Sequence, residues 1–92
     1  MMIVRLPATL SGTGRPDAVP LPVPAAATVR SVLDVLDRRL PGLVGKLLDG
    51  EGRLYGYVNI YVNGDDIRQG AGVQTAVKEG DEILVLPAIS GG

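Results

Sequence analysis

Residues 79–92 read EGDEILVLPAISGG, and this stretch decides the fold. The turn-forming triplet Glu79-Gly80-Asp81 leads into the unbroken apolar run of residues 83–86, which is typical of a strand at the centre of a sheet. The chain then reaches Gly91-Gly92, a thin end without Cβ atoms that can enter a narrow site. Its reactive group is the Gly92 carboxylate, an anion near neutral pH and a poor acyl electrophile, so another molecule must activate it. A frayed terminus without a role is the alternative.

Two strands are predicted in the first quarter of the chain. Residues 2–8 alternate between apolar and other side chains, the pattern of a strand with one buried face. Residues 11–17 are rich in glycine, proline and small polar residues, which indicates a loop. Val19, Leu21 and Val23 then alternate with three prolines, so that all the missing N–H groups fall on one edge of the second strand. Because that edge cannot pair, we expect this strand at the edge of the sheet.

One long helix is predicted to start after Thr28, whose side chain can cap it. Its apolar positions form one stripe at helical spacing, namely Val29, Val32, Leu33, Leu36 and Leu40. A later start, with Ser31 and Asp34 forming the cap, is the alternative. Pro41-Gly42 ends the helix, and residues 43–48 can add a short helical turn.

The second half of the chain predicts a hairpin followed by the last strand. Residues 57–62 alternate between apolar and polar or aromatic side chains. Asn63-Gly64 is a two-residue hairpin signal because both residues tolerate positive φ. A short strand is expected to return at residues 66–68, and residues 73–77 can form one helical turn before the last strand at residues 82–86.

This order of elements predicts an α+β domain of the β-grasp, ubiquitin-like type. We expect strand one and the last strand to lie side by side and parallel at the centre of the sheet, with the helix on one face as the right-handed crossover rule requires. We expect a mixed sheet of four to five strands that one main helix covers on one face. Residues 1–87 would form this domain, and residues 88–92 a flexible C-terminal tail ending in Gly-Gly.

The composition describes one small folded domain and argues against several functions. Of the 92 residues, 46% are hydrophobic and 21% are charged, as in globular domains. The 9 Lys and Arg are balanced by 10 Asp and Glu, and the aromatic residues are three tyrosines, which argues against a nucleic-acid interface. The absence of Cys and His excludes thiol and imidazole catalysis and zinc sites of the usual Cys and His type. The acidic residues are scattered along the chain or lie in a hairpin turn, and no lysine or ligand cluster is placed to hold a cofactor, so we expect no catalytic residue and no metal or cofactor site. No signal peptide or membrane span is recognised, so we expect a cytoplasmic protein. We also expect it to be a monomer when it is free of its partners.

Alternation along the strands also predicts a partner-docking patch. If Ile83 and Val85 face the helix, their neighbours face the opposite side of the sheet. The patch predicted on that side consists of Tyr57, Tyr61, Leu84 and Leu86. No element remains to cover it, and apolar surface beside the tail would suit a partner that handles Gly92. Ordinary cross-strand pairs on a half-exposed sheet are the alternative.

Three segments of the C-terminal third carry a resemblance to a known family. They read YVNIYVNGDDIR at residues 57–68, KEGDEI at residues 78–83 and LPAISGG at residues 86–92. Together they resemble the ThiS/MoaD family of ubiquitin-like sulfur carriers, which the rest of the chain matches in layout. Within this family the chain is most similar to the CysO type, which serves cysteine biosynthesis, and next to the MoaD type. The ThiS type, which serves thiazole synthesis, comes third because it lacks the extension at residues 49–57.

The resemblance implies a carrier that is not itself an enzyme. Gly92 would be adenylated with ATP by a partner that resembles E1 ubiquitin-activating enzymes, and sulfur would then replace one carboxylate oxygen to form a thiocarboxylate. The tail residues that would thread the partners' active sites are Ala88, Ile89, Ser90 and Gly91. The partner would use the ATP, and this chain would bind no cofactor.

The acceptor of the sulfur would depend on the type of carrier. A CysO-like carrier would serve a PLP-dependent cysteine synthase, and a metal-dependent protease would release cysteine from the Gly92 adduct. A MoaD-like carrier would be the small subunit of molybdopterin synthase and would serve its large subunit. Two alternatives come from other classes: a ubiquitin-like modifier attached to lysines of other proteins, and a non-catalytic interaction module of the same fold.

Overall fold

The computed structural model describes residues 1–87, which form one mixed sheet, two α-helices and two 3-10 turns. The strands are β1 (Met2–Leu6), β2 (Asp17–Leu21), β3 (Val58–Val62), β4 (Asp65–Asp66) and β5 (Glu82–Pro87). The helices are α1 (Val29–Arg39) and α2 (Leu43–Leu47), and the 3-10 turns span Ile67–Gln69 and Gly72–Gln74. Across the sheet the order is β2-β1-β5-β3-β4. This architecture is the predicted β-grasp fold.

Strand β5 lies at the centre of the sheet, as its apolar run predicts. It pairs parallel with β1 and antiparallel with β3. Its side chains Ile83 and Val85 are fully buried on the side that faces α1. A side chain of this size contributes roughly 1.5–3 kcal/mol when it is buried, so β5 is firmly held up to the point where it ends at Pro87.

Strand β2 forms an edge of the sheet, as its prolines predict, but it ends earlier than the alternation suggested. It pairs antiparallel with β1, with Leu21 opposite Met2. Because β1 begins at Met2, Val23 has no residue opposite it and lies beyond the strand. Pro20 is exposed on the edge strand, where its missing N–H does not interrupt the pairing with β1.

Strand β1 ends at Leu6, whereas the sequence pattern extended to residue 8. The physical reason is a turn that starts at Pro7. The carbonyl of Pro7 accepts hydrogen bonds from the backbone N–H groups of Leu10 and Ser11, at 3.0 and 3.1 Å. The chain therefore leaves the sheet one residue after Leu6 and enters the predicted loop.

Helix α1 begins where Thr28 predicts. The Thr28 hydroxyl accepts the Ser31 backbone N–H at 3.2 Å, and the Ser31 hydroxyl accepts the Thr28 backbone N–H at 2.9 Å. This reciprocal pair is a capping box. Ser31 therefore completes the cap of Thr28 instead of starting a later helix, and Asp34 pairs with Arg30 on the exposed side.

The hydrophobic core lies between the sheet and the two helices. Its fully buried large side chains are Met2, Val4, Leu21, Val29, Leu33, Leu36, Leu47, Ile60, Ile83 and Val85. The predicted helical stripe is buried except for Leu40, which is half-buried at the C-terminal cap of α1. The strand residues of the core confirm the predicted alternation of β3 and β5.

The hairpin after β3 turns at Asn63-Gly64 with φ values of 50° and 87°, as the two-residue signal predicts. The returning strand was expected at residues 66–68, but β4 is limited to Asp65–Asp66. The reason is local: the Asp66 carboxylate accepts the Arg68 backbone N–H at 2.8 Å and starts the 3-10 turn Ile67–Gln69. The helical turn expected at residues 73–77 is likewise a 3-10 turn, at Gly72–Gln74.

Candidate functional site

The carboxyl end of β5 is the part of the described structure that lies nearest in sequence to Gly92, the predicted activation site. Pro87, the last residue of β5, lies opposite Val58 of β3. The tail residues Ala88, Ile89, Ser90 and Gly91, and the predicted activation site Gly92, lie outside the described residues. The candidate site therefore consists of the surfaces that surround the end of β5.

One of these surfaces is the sheet face opposite α1, which we call the open face. On it Tyr61 lies opposite Leu84, and Asn59 lies opposite Leu86. Leu86 is 39% exposed, and Tyr61 and Leu84 are half-buried. Strand pairing thus brings three of the four predicted patch residues together into an apolar strip that runs towards Pro87.

Tyr57, the fourth predicted patch residue, lies at the end of the sheet. The Val58 N–H donates to the Tyr55 carbonyl at 3.0 Å, and this turn ends the alternation of β3 before Tyr57. The rings of Tyr55 and Tyr57 stack with centroids 5.1 Å apart. Tyr57 is 54% exposed and borders a groove with Leu10 and Lys46. It therefore stands beside Pro87 on a different part of the surface from Tyr61.

The open face continues across β5 to β1. Arg5 lies opposite Leu84 and pairs with the Glu82 carboxylate at 3.1 Å. A shallow groove of about 480 Å³ runs along this region and is lined by Arg5, Ala18, Leu84 and Leu86 among others. The apolar strip is therefore bordered on one side by an exposed ion pair, which adds polar groups to the contact surface.

Arg68 borders the other side of this strip and was not anticipated from the sequence. Its guanidinium donates to the Asn59 side-chain oxygen at 3.0 Å and to the Tyr55 carbonyl at 2.7 Å. The 3-10 turn that Asp66 caps returns Arg68 towards β3. Asp66, which can cap a turn, is the signal for this position in the sequence, although the hairpin pattern predicts that Asp66 belongs to the returning strand.

Asn63 and Asp81 hold the hairpin against the start of β5. The Asn63 amide donates to Asp81 Oδ1 at 2.9 Å, and its oxygen accepts the Glu82 backbone N–H at 2.9 Å. The other Asp81 oxygen accepts the Lys78 backbone N–H at 2.9 Å. Asp81 is only 6% exposed. Sequence reasoning did not single out this network, which fixes the first residue of β5.

The Asp81 carboxylate is suited to a structural role. The hydrogen bond from Asn63 and then that from the Lys78 backbone lower the pKa of Asp81 below its ordinary value. Burial opposes this shift but does not reverse it. The group therefore stays ionised near neutral pH and is a poor proton donor there.

Within residues 1–87, no three His, Cys, Asp or Glu side chains lie close enough to hold a metal ion. No helix in that range is both long and apolar enough to cross a membrane. What the described surface offers around Pro87 is an apolar strip, exposed charged groups and a stacked tyrosine pair. These groups can bind a partner.

The chain is similar in sequence and in fold to known proteins. The model of the ThiS family matches residues 4–92. Sulfur carrier protein CysO of Mycobacterium tuberculosis is 39% identical over 67 residues, which cover 71% of this chain and 72% of that protein. Small archaeal modifier protein 1 of Haloferax volcanii is 35% identical over 66 residues, which cover 72% of this chain and 71% of that protein.

Among solved structures, a chain of the BexX/CysO complex of Amycolatopsis orientalis superposes with a TM-score of 0.80. It is 30% identical in sequence, and the match covers 100% of both chains. The likeness therefore extends over the whole fold.

Proposed function

The chain belongs to the ThiS family, and on that basis we propose that it carries sulfur as a thiocarboxylate at Gly92 for cysteine biosynthesis. Proteins of this kind are sulfur carriers and ubiquitin-like modifiers, which act as substrates or partners of enzymes. The observation that carries the proposal is the 39% identity with a CysO sulfur carrier. The proposal is also supported by the position of β5 in the sheet, because this strand ends at Pro87, five residues before Gly92.

The proposed chemistry takes place at the terminal carboxylate and needs no side chain of this protein. A carboxylate oxygen of Gly92 attacks the α-phosphorus of ATP on a partner resembling an E1 enzyme and releases pyrophosphate. Sulfide, as HS⁻, then attacks the activated carbonyl carbon and releases AMP, which is a good leaving group. Gly92 then ends in a thiocarboxylate. We expect the cytoplasm as the location, because the reaction consumes ATP.

The tail and the open face have separate parts in this proposal. Residues 88–91 extend through the partners' active sites, while Tyr61, Leu84 and Leu86 contact the partner's surface. The exposed Leu86 and the half-buried Tyr61 and Leu84 lie on the paired strands β3 and β5, and this apolar surface supports such a contact. Replacing Tyr61 by Ala should raise the KM of the activating enzyme for this protein. An unchanged KM would remove the open face from the docking surface.

The sulfur acceptor we favour is a PLP-dependent cysteine synthase, with a metal-dependent protease acting afterwards on the Gly92 adduct. The large subunit of molybdopterin synthase is the second candidate acceptor. In both cases the cofactors belong to the partners, and we propose that this chain binds none.

A second candidate function is covalent modification of proteins. It is favoured by the 35% identity with a small archaeal modifier protein. Activation of Gly92 would be the same, but the acyl group would be transferred to lysine amines. A ladder of higher-mass conjugates in cells that depends on Gly92 would favour this function over sulfur transfer.

The proposal is tested by measuring the intact mass of the protein after incubation with ATP, sulfide and an adenylating enzyme from the same organism. We expect a mass gain that corresponds to one oxygen replaced by sulfur, localised to Gly92 by fragmentation. A variant without Gly92 is the matched control and should keep its mass and its fold. No mass gain in the intact protein, with the enzyme active on another carrier, would refute the proposal.

A further inference from the structure

A second surface lies beside Pro87, on the α2 side of the sheet. Two adjoining depressions of about 420 and 220 Å³ share Thr9, Leu10 and Lys46 in their walls. The larger one reaches Tyr57 and Pro87, and the smaller one reaches Arg39. We call the two together the rim groove. It starts where β5 ends and runs between the loop after β1 and helix α2.

The rim groove carries positive charge that is not neutralised within the described chain. Arg39 and Lys46 are exposed, and neither forms an ion pair among residues 1–87. Of the seven other cationic side chains, four pair with a carboxylate among the described residues, namely Arg5, Arg30, Arg53 and Lys78, and three do not, namely Arg15, Arg38 and Arg68. The Asp37 carboxylate, on the last turns of α1, accepts the Val44 backbone N–H at 2.9 Å. The groove therefore presents two cations to solvent.

Between these cations and Pro87 the groove has apolar and aromatic walls. Leu10 packs against the core and is half-buried. The Tyr57 ring is held in place by stacking on Tyr55, so little conformational freedom is lost when a partner contacts it. Aromatic side chains and arginine beside an apolar floor are the composition of energetically important interface positions.

The alternation of β5 connects this groove to the tail. Leu86 lies on the open face, whereas Pro87, the next residue, lines the rim groove. Pro87, the last residue before the tail, therefore lies at the boundary between the two surfaces. An enzyme that encloses the first tail residue on all sides has to contact both of them.

We propose that the rim groove receives an acidic segment with an apolar tip from the enzyme that adenylates Gly92. Carboxylates of this segment would face Lys46 and Arg39, and its apolar side chain would contact Leu10 and Tyr57. Charge complementarity of this kind speeds encounter and fixes orientation. The inference rests on the proposed function, because it requires that the chain is adenylated.

The test uses glycine positions where a new side chain has room. A Cβ added at Gly45 or at Gly50 meets no atom within 4 Å, and neither residue has a left-handed φ. Gly45 lines the rim groove beside Lys46, and Gly50 lies outside it. Gly45→Glu therefore places a carboxylate in the groove, and Gly50→Glu is the matched control. Lys46→Glu reverses one of the two charges directly.

The measurement is the KM for this protein in ATP–pyrophosphate exchange by the adenylating enzyme, at low and at high salt. We expect Gly45→Glu and Lys46→Glu to raise KM by on the order of tenfold at low salt, with kcat unchanged and a smaller effect at high salt. Circular dichroism establishes that each variant is folded. KM values no higher than that of Gly50→Glu would overturn the groove proposal alone. Failure of the wild-type protein to be adenylated would overturn the proposed function as well.

Discussion

The hydrogen bonds of Asp81 make the substitution Asp81→Asn a sharp test of what holds β5 in place. The two carboxylate oxygens accept from the Asn63 amide and from the Lys78 backbone N–H. An asparagine keeps the shape but turns one of these acceptors into an NH₂ donor that faces another donor. Reversing the Asn63 amide would not relieve the conflict, because its oxygen also accepts the Glu82 N–H.

The size of the destabilisation caused by Asp81→Asn follows from the hydrogen bonds that are lost. A hydrogen bond to a charged group contributes about 1.5–3 kcal/mol, and a buried donor left without a partner costs a similar amount. The Lys78 ammonium lies 3.8 Å from Asp81 but is 83% exposed, so its loss adds little. We expect Asp81→Asn to lower the free energy of unfolding at pH 7 by about 2–3 kcal/mol.

The effect should also depend on pH. The pKa of Asp81 is lowered in the folded protein, first by the Asn63 amide and then by the Lys78 N–H. The resulting stabilisation is fully present above the unfolded pKa of about 3.9 and is lost as the pH falls through the lower native pKa. The difference in stability between wild type and Asp81→Asn should therefore shrink as the pH is brought below about 4.

Urea unfolding at pH 7 and at pH 3 measures both effects. Glu51→Gln is the control, because Glu51 is 73% exposed and its ion pair with Arg53 is weak; we expect it to change stability by less than about 0.5 kcal/mol. If Asp81→Asn behaves like this control at pH 7, or if its effect is the same at both pH values, the reasoning is refuted.

Two further predictions concern the helices. Thr28→Ala removes the hydroxyl that accepts the Ser31 N–H and should lower the free energy of unfolding by about 1 kcal/mol in urea titrations; no change would mean that the capping box does not stabilise α1. Gly45→Ala should raise the thermal midpoint by adding about 0.5–1 kcal/mol of stability, since its Cβ meets no atom within 4 Å. A lower midpoint would show that α2 does not tolerate the added methyl group.

Much of the fold could be predicted because its signals are local. The prolines around Leu21 mark an edge strand, Thr28 marks the start of α1, and Asn63-Gly64 marks a hairpin with positive φ at both residues. In each case one residue type restricts the backbone or supplies a cap, and no distant partner is needed to read it.

The parts that escaped prediction depend on contacts between distant residues. Arg68 reaches Asn59 and the Tyr55 carbonyl only because a 3-10 turn replaces the end of the expected strand. Asp81 meets Asn63 across eighteen positions of sequence. The rim groove joins the loop after β1, helix α2 and the end of β5. The alternation of apolar residues along one strand does not indicate which distant residues it will contact.

The parallel pairing of β1 with β5 has a consequence for the order of folding during synthesis. The central pair of the sheet joins the first described strand to the last described element, which leaves the ribosome after all the others. Contacts between such distant segments form late, since a long chain must first be brought together. The sheet therefore cannot close before β5 has emerged, because β5 joins β1 to β3.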